Sequence, residues 1–113
     1  DRFWAVLKQF GPFGPANARP VFHATNLAVA GSPRTVGSDG SHLKFEVRPR
    51  ASQANRPPTF DVIGFGMGDK LSVLEESQKR DTPLELLFSL EDNTWNGKTT
   101  LQFKARDLRL EEE

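Results

Sequence analysis

The chain has 113 residues, no cysteine, and 15 basic residues against 15 acidic ones. That length suits one domain whose core is stable without staples. The missing thiols exclude disulfides and thiolate metal sites, and a formal charge of zero argues against a partner held by bulk electrostatics alone. No apolar run approaches the ~20 residues needed to cross a bilayer, and no signal-peptide pattern is present. The composition therefore fits a cytoplasmic protein with no membrane partner. The chain opens on Asp1 rather than Met, so it is expected to be a piece of a longer protein.

Phe3, Leu7 and Phe10 fall at the i, i+4, i+7 spacing of one helical face, with Trp4 beside them. Gly11-Pro12-Phe13-Gly14-Pro15 ends that helix, because proline cannot donate to it and glycine permits turns. Residues 1–19 thus read as the end of a preceding domain plus a linker, and 20–113 as the domain itself. An exposed Phe3–Leu7–Phe10 face could pair with another copy of the chain.

From Pro20 the period changes to two. Val21 to Val36 reads as one long strand, bent or bulged at Gly31-Ser32-Pro33. Gly37 to Ser41 is a turn cluster. In the second strand, His42 to Arg48, Leu43, Phe45 and Val47 face inward and His42, Lys44, Glu46 and Arg48 face out. Pro49 to Pro58 is a polar, proline-rich loop. Thr59 to Phe65 is the third strand. Met67, Leu71 and Leu74 then mark a helix, with Asp69 near its start, where the helix dipole favours an anion. Pro83 to Leu90 is the fourth strand, Glu91 to Lys98 a turn, and Thr99 to Leu110 the fifth strand, with Leu101, Phe103 and Ala105 facing inward. The expected fold is all-β with one or two short helices. One helix between the third and fourth of five strands is the order of the OB-fold, a five-stranded Greek-key barrel, rather than of an SH3-like barrel.

Gly64, Gly66 and Gly68 invite a phosphate-loop reading, and the spacing removes it. G-x-G-x-x-G would need glycine at Asp69 or Leu71, and a Walker loop would need Gly-Lys-Ser/Thr where the chain has Gly68-Asp69-Lys70-Leu71. The glycines then serve as corner residues of a tight strand-to-helix turn. His23 and His42 lie on different strands with no carboxylate at ligand spacing, and no nucleophile, histidine and acid arrangement is present. Nothing nominates a catalyst, a metal or a cofactor in this chain.

Binding has better support. Residues 20–60 carry five basic residues (Arg34, Lys44, Arg48, Arg50, Arg56) against two acids (Asp39, Glu46), whereas 61–113 hold seven basic and twelve acidic ones. OB barrels take oligonucleotides across strands 2 and 3, between the 1–2 and 4–5 loops. Lys44 and Arg48 project from strand 2 with Arg50 just beyond it, and Arg34 flanks the 1–2 loop. The 4–5 loop holds Trp95, Asn96, Gly97 and Lys98. Single strands are held by cations that track phosphates and by aromatic rings on which bases stack. Trp95 either offers its ring to a base or folds back to cap the barrel end.

Several segments resemble the C-terminal nucleic-acid-binding domain of RecJ, a single-strand-specific 5′→3′ DNA exonuclease of the DHH phosphoesterase superfamily. They are Pro12-Phe13-Gly14 with Asn17, Pro20-Val21-Phe22, His42-Leu43-Lys44-Phe45, Ile63-Gly64-Phe65-Gly66-Met67-Gly68, and Phe88-Ser89-Leu90-Glu91-Asp92-Asn93 with Trp95-Asn96-Gly97. Leu101-Gln102-Phe103-Lys104 with Asp107-Leu108 completes the series. Departures are Ala16 and Ala18 in the linker, a longer and more charged Glu75–Pro83 segment, and the acidic tail. The resemblance implies an OB-fold that clasps single-stranded DNA beside a catalytic core acting in DNA repair and recombination. It also implies Mn²⁺ or Mg²⁺ in that core, bound through Asp-His-His and Gly-Gly-His motifs that do not occur in these residues. A DNA-binding role carries over to Lys44 and the Trp95-Asn96-Gly97 turn, while Arg34, Arg48, Arg50 and Lys98 follow from position. The alternative is a protein-interaction module docking on its own catalytic core or on a single-strand-binding protein. Neither reading makes this chain an enzyme by itself.

Overall fold

The computed structural model describes residues 20–50, 55 and 58–111. The expected helix over residues 1–10, the linker to residue 19 and Arg56 lie outside the described residues.

Five strands close into a barrel in the order β1-β2-β3-β5-β4. They are β1 (Val21–Val36), β2 (His42–Pro49), β3 (Phe60–Gly64), β4 (Leu84–Trp95) and β5 (Lys98–Leu110). All pairings are antiparallel except β3 with β5, which run parallel through Val62↔Phe103 and Ile63↔Lys104. A 3₁₀ turn (Gly68–Lys70) leads into helix α1 (Leu71–Arg80), which lies between β3 and β4 in the chain. This is the expected OB topology.

The core follows from alternation. Leu43, Phe45 and Val47 of β2 are essentially inaccessible, as are Val62, Leu84 and Leu86. Four phenylalanines run through the interior as a ladder: Phe22 on Phe88, Phe88 on Phe103 and Phe103 on Phe60, with centroids 5.5, 5.2 and 5.2 Å apart. Offset ring contacts of this kind add ~0.5–1.5 kcal/mol each beyond the area they bury. From α1, Leu74 packs into the core while Leu71 and Val73 are partly buried against it.

Strand β1 is long because it serves two neighbours, and it does so through two irregularities. The register on β2 shifts between Ala30 and Arg34, at the predicted glycine bend. The carbonyls loosened there, of Val29 and Gly31, accept from the Gln78 amide of α1 at 3.1 and 2.7 Å. A second irregularity, between Ala24 and Leu27 on the β4 side, was not visible in the sequence. Asn26 sits there in the left-handed region at φ 58, a conformation asparagine tolerates better than most residues. Its carbonyl accepts from the Arg50 N–H at 3.0 Å and its N–H donates to Glu111 Oε1, so both backbone groups of Asn26 are satisfied.

The structure corrects the sequence reading at the second hairpin. Residues 91–95 continue β4, and β5 begins at Lys98, so the connection is the two-residue turn Asn96-Gly97. Both residues have positive φ, 51 and 77, the type I′ geometry that matches strand twist. Glu91, Asp92 and Asn93 are poor strand formers in isolation, but ladder pairing overrides that preference. Leu101, expected in the core, is 58% exposed. Its cross-strand partner is Asp92, and β3 does not reach it, so the end of the hairpin stands off the barrel as an arm. A register shift at Leu87/Phe88 leaves both Arg106 and Asp107 outside before Leu108 returns to the core. Strand β3 also stops at Gly64, which frees Phe65.

Candidate nucleic-acid interface

Strand pairing places four residues in one row across the barrel, Ile63 among them buried and the other three at least partly exposed. Arg34 of β1 faces Lys44 of β2, Lys44 faces Ile63 of β3, and Ile63 faces Lys104 of β5. The bulge in β1 creates the first of these pairings by resetting the register just before Arg34. Arg34 and Lys44 also line one shallow depression with Gly31, Ser32, Glu46 and Asp61.

The row has a sharp lower border. Glu46 and Asp61 pair directly across β2 and β3, so two carboxylates separate Lys44 from Arg48 on the same face. Arg48 faces Ala28 beyond them. Arg50 is turned elsewhere: its Nη1 donates to Asp81 Oδ1 at 2.8 Å, at the left-handed residue that ends α1. The predicted cluster therefore divides. Arg34 and Lys44 are brought together, Arg48 is set apart by acids, and Arg50 belongs to a structural ion pair. Among the described residues, Arg34, Lys44, Arg48 and Lys98 form no ion pair.

Asn96 and Lys98 are exposed at the tip of the β4–β5 arm. Lys98 and Lys104 stand six positions apart along β5, roughly 20 Å at strand rise. The arm is braced by a 3.0 Å hydrogen bond between the hydroxyls of Thr94 and Thr99. Trp95 is the last residue of β4 rather than part of a loop, and the orientation of its ring lies outside what is described.

Two residues absent from the sequence prediction complete the other end of the row. Phe65 is 50% exposed, with the Lys104 ammonium over its ring at 5.5 Å and the His42 ring edge-on at 5.3 Å. Lys104 also lies 3.5 Å from Glu91. The available signal was Gly64-Phe65-Gly66, since an aromatic residue between two glycines has no strand or helix to bury it.

The 1–2 turn beside this end is held in place. The Ser41 N–H and hydroxyl hold the Asp39 carboxyl below its ordinary value, and the Gly68 N–H donates to the Ser41 carbonyl at 2.9 Å. A Cβ on Gly68 would come under 3.0 Å from the Gly40 carbonyl oxygen, so glycine is what lets the 3₁₀ turn and the 1–2 turn touch.

A larger concavity elsewhere is lined by Thr25, Val73, Glu85, Arg109, Leu110 and Glu111. Its charges already satisfy one another. Glu85 receives Arg109 Nε at 2.8 Å and contacts His23 Nε2 at 2.5 Å, and these two partners, Arg109 first, hold its carboxyl below the ordinary value. The same carboxylate raises the Arg109 guanidinium. Among the described residues no three His, Asp or Glu side chains converge as metal ligands.

Comparison with known proteins agrees with the fold. Mitochondrial single-stranded DNA-binding protein Rim1 from S. cerevisiae superimposes with a TM-score of 0.58, at 14% identity, over 82% of this chain and 96% of that one. The SSB domain of a Synechococcus protein gives 0.53 at 13% identity, over 85% and 99%. At such identities the likeness concerns the fold. In sequence, the chain is 26% identical over 108 residues to the single-stranded-DNA-specific exonuclease RecJ of Bacillus subtilis (strain 168). It spans 96% of itself but only 12% of that protein. The family model described as the RecJ OB domain matches residues 1–107, and the chain belongs to that family.

Proposed function

We propose that this barrel binds single-stranded DNA along the row Arg34–Lys44–Ile63–Lys104 and out to the Asn96–Lys98 tip. It would do so as the accessory domain of a RecJ-like 5′→3′ exonuclease in DNA repair and recombination. The observation that carries the reading is the row itself, with two facing cations that form no ion pair among the described residues, on the barrel face that OB-folds use for oligonucleotides. A zero net charge does not by itself oppose this, because Arg34 and Lys44 form no ion pair among the described residues even though Glu46 and Asp61 share their depression. In this reading the chain is not itself a catalyst. The Mn²⁺ or Mg²⁺ and the hydrolytic residues belong to the parent protein's core, and the setting is cytoplasmic.

The alternative, a module that docks on that core or on a single-strand-binding protein, draws support from Val21 and Leu87. Both are exposed, and they lie diagonally across β1 and β4.

Titration of the chain with single-stranded oligonucleotides across a salt series separates the two. If Arg34, Lys44 and Lys98 each neutralise one phosphate, log affinity falls with log salt at a slope of about −2, at ~0.7 per contact. Absence of saturable binding at low salt would exclude the DNA reading and leave docking.

A further inference from the structure

We propose that Phe65 is a base-stacking platform, on which a nucleobase of the strand lies while its phosphates follow Arg34 and Lys44. This rests on the single-strand-binding reading above and adds a subsite that recognises the base itself.

The ring is exposed and also fixed. Phe65 and Gly66 are the central residues of a turn closed by the Met67 N–H donating to the Gly64 carbonyl at 3.3 Å. Gly66 has φ 70, the positive value that a type II turn demands at its third position. The Gly66 N–H donates to His42 Nδ1 at 3.0 Å. His42 is therefore the acceptor at that nitrogen, its ring oriented by the turn it supports. The same imidazole meets the Phe65 ring nearly perpendicularly, at 76°. Backbone, histidine and lysine thus define where the ring stands before any ligand arrives, and a preorganised group loses little freedom on binding.

The ring is also beside the phosphate-binding row. His42 precedes Lys44 by two residues on β2, so the two share one face about 7 Å apart along the strand, and the His42 ring meets that of Phe65 at 5.3 Å. Lys104 belongs to both: it stands in the row opposite Ile63 and its ammonium lies over the ring. Val21, Leu87 and Leu101 are exposed as well, but as aliphatic side chains they offer no π-face. Phe65 alone of these combines an exposed π-face, a fixed turn and adjacent positive charge, which is the chemistry of single-strand stacking sites.

The test compares oligothymidylate with an abasic deoxyribose-phosphate oligomer of equal length, at fixed low salt, on the unaltered chain and on Phe65→Leu, Phe65→Trp and Lys44→Ala. Leucine keeps apolar bulk and loses the π-face. Phe65→Leu should weaken oligothymidylate binding by about 5- to 150-fold and leave abasic binding unchanged. Phe65→Trp should retain oligothymidylate binding, and Lys44→Ala should weaken both ligands alike. Phe65→Leu binding oligothymidylate as the unaltered chain does would overturn stacking while leaving the DNA reading intact. An equal loss on both oligomers would also overturn it, by making Phe65 a support for the cations. Failure of the unaltered chain to bind either oligomer would overturn both readings.

Discussion

Arg34 and Lys44 stand directly opposite each other across the β1–β2 ladder, two like charges with no ion-pair partner among the described residues. Facing like charges on a sheet destabilise it by ~0.2–1 kcal/mol relative to neutral pairs. A fold optimised for stability alone would have put an acid at one of these positions. Glu46 occupies the same face two residues along, so acids are accommodated there.

Removing one member of the pair should therefore separate stability from binding. Arg34→Ala is expected to raise unfolding free energy by a few tenths of a kcal/mol, up to about 1. The same substitution should weaken single-strand binding and reduce the salt slope by ~0.7. Arg50→Ala should do the reverse, leaving the slope unchanged, since Arg50 is occupied by Asp81. Urea unfolding and oligonucleotide titration on the two variants check both statements. Equal slopes for Arg34→Ala and the unaltered chain would remove Arg34 from the interface.

The contrast between these two arginines shows what a sequence can carry. The clean alternation of β2 fixes its faces, so Lys44 and Arg48 were placed correctly from pattern alone. The partners across the ladder depend on register, and the bulge before Arg34 sets that register through contacts 47 to 49 residues away, from Gln78 to Gly31 and Val29. Arg50 looked like a continuation of the basic face, but it lies one residue past the strand and turns to the end of α1. At the β4–β5 turn the four consecutive polar residues Glu91 to Thr94 suggest a loop, although Asn96-Gly97 is itself the strongest short hairpin signal. Phe65 was assigned to a strand whose last residue is Gly64. Local pattern determines which side chains are outside, and long-range pairing determines which of them meet.

Acid should act on the cluster around Glu85. Its carboxyl titrates below the ordinary 4.5 in the folded chain because Arg109 and His23 favour the charged form. A depressed value means that the stabilisation is complete above the unfolded-state pKa and is lost as pH falls through the folded-state one. The melting temperature of the unaltered chain should thus exceed that of Glu85→Gln near neutrality, and the gap should close below pH 4.5. The group is only partly buried, so the gap is expected to shrink in high salt as well. Thermal melts of the two proteins across pH and salt test this. A gap that widens in acid would contradict it.

Gly68 and Gly66 should respond differently to alanine. At Gly68 the added Cβ meets the Gly40 carbonyl and the Ser41 backbone, which cannot rotate away. Overpacking of this sort costs ~1–3 kcal/mol, and it should also loosen the 1–2 turn that flanks the row. At Gly66 a Cβ meets nothing within 4 Å, and only the positive φ opposes it, at ~1–2 kcal/mol. Urea midpoints alone could look similar. Amide exchange distinguishes them, because Gly68→Ala should deprotect the Gly68 N–H bonded to Ser41, whereas Gly66→Ala should act on the Gly66 N–H bonded to His42.

The β4–β5 arm is expected to open independently of the barrel. Toward the tip from Phe103 no third strand among the described residues covers the hairpin, and residues 96–101 are exposed, so few buried contacts link its opening to global unfolding. Gly97→Ala places a side chain at φ 77, where an L-residue pays ~1–2 kcal/mol, in a turn whose type I′ geometry needs positive φ at both central residues. That cost should fall on the arm. Amide exchange at the ladder pairs Thr94↔Thr99 and Asn93↔Thr100 should accelerate by about 5- to 30-fold, while protection at Phe45 and Val62 in the barrel stays unchanged. Because Lys98 is presented by this turn, single-strand affinity should fall with arm order, although no cation has been removed. A uniform loss of protection across barrel and arm would mean instead that the hairpin and the barrel unfold as one unit.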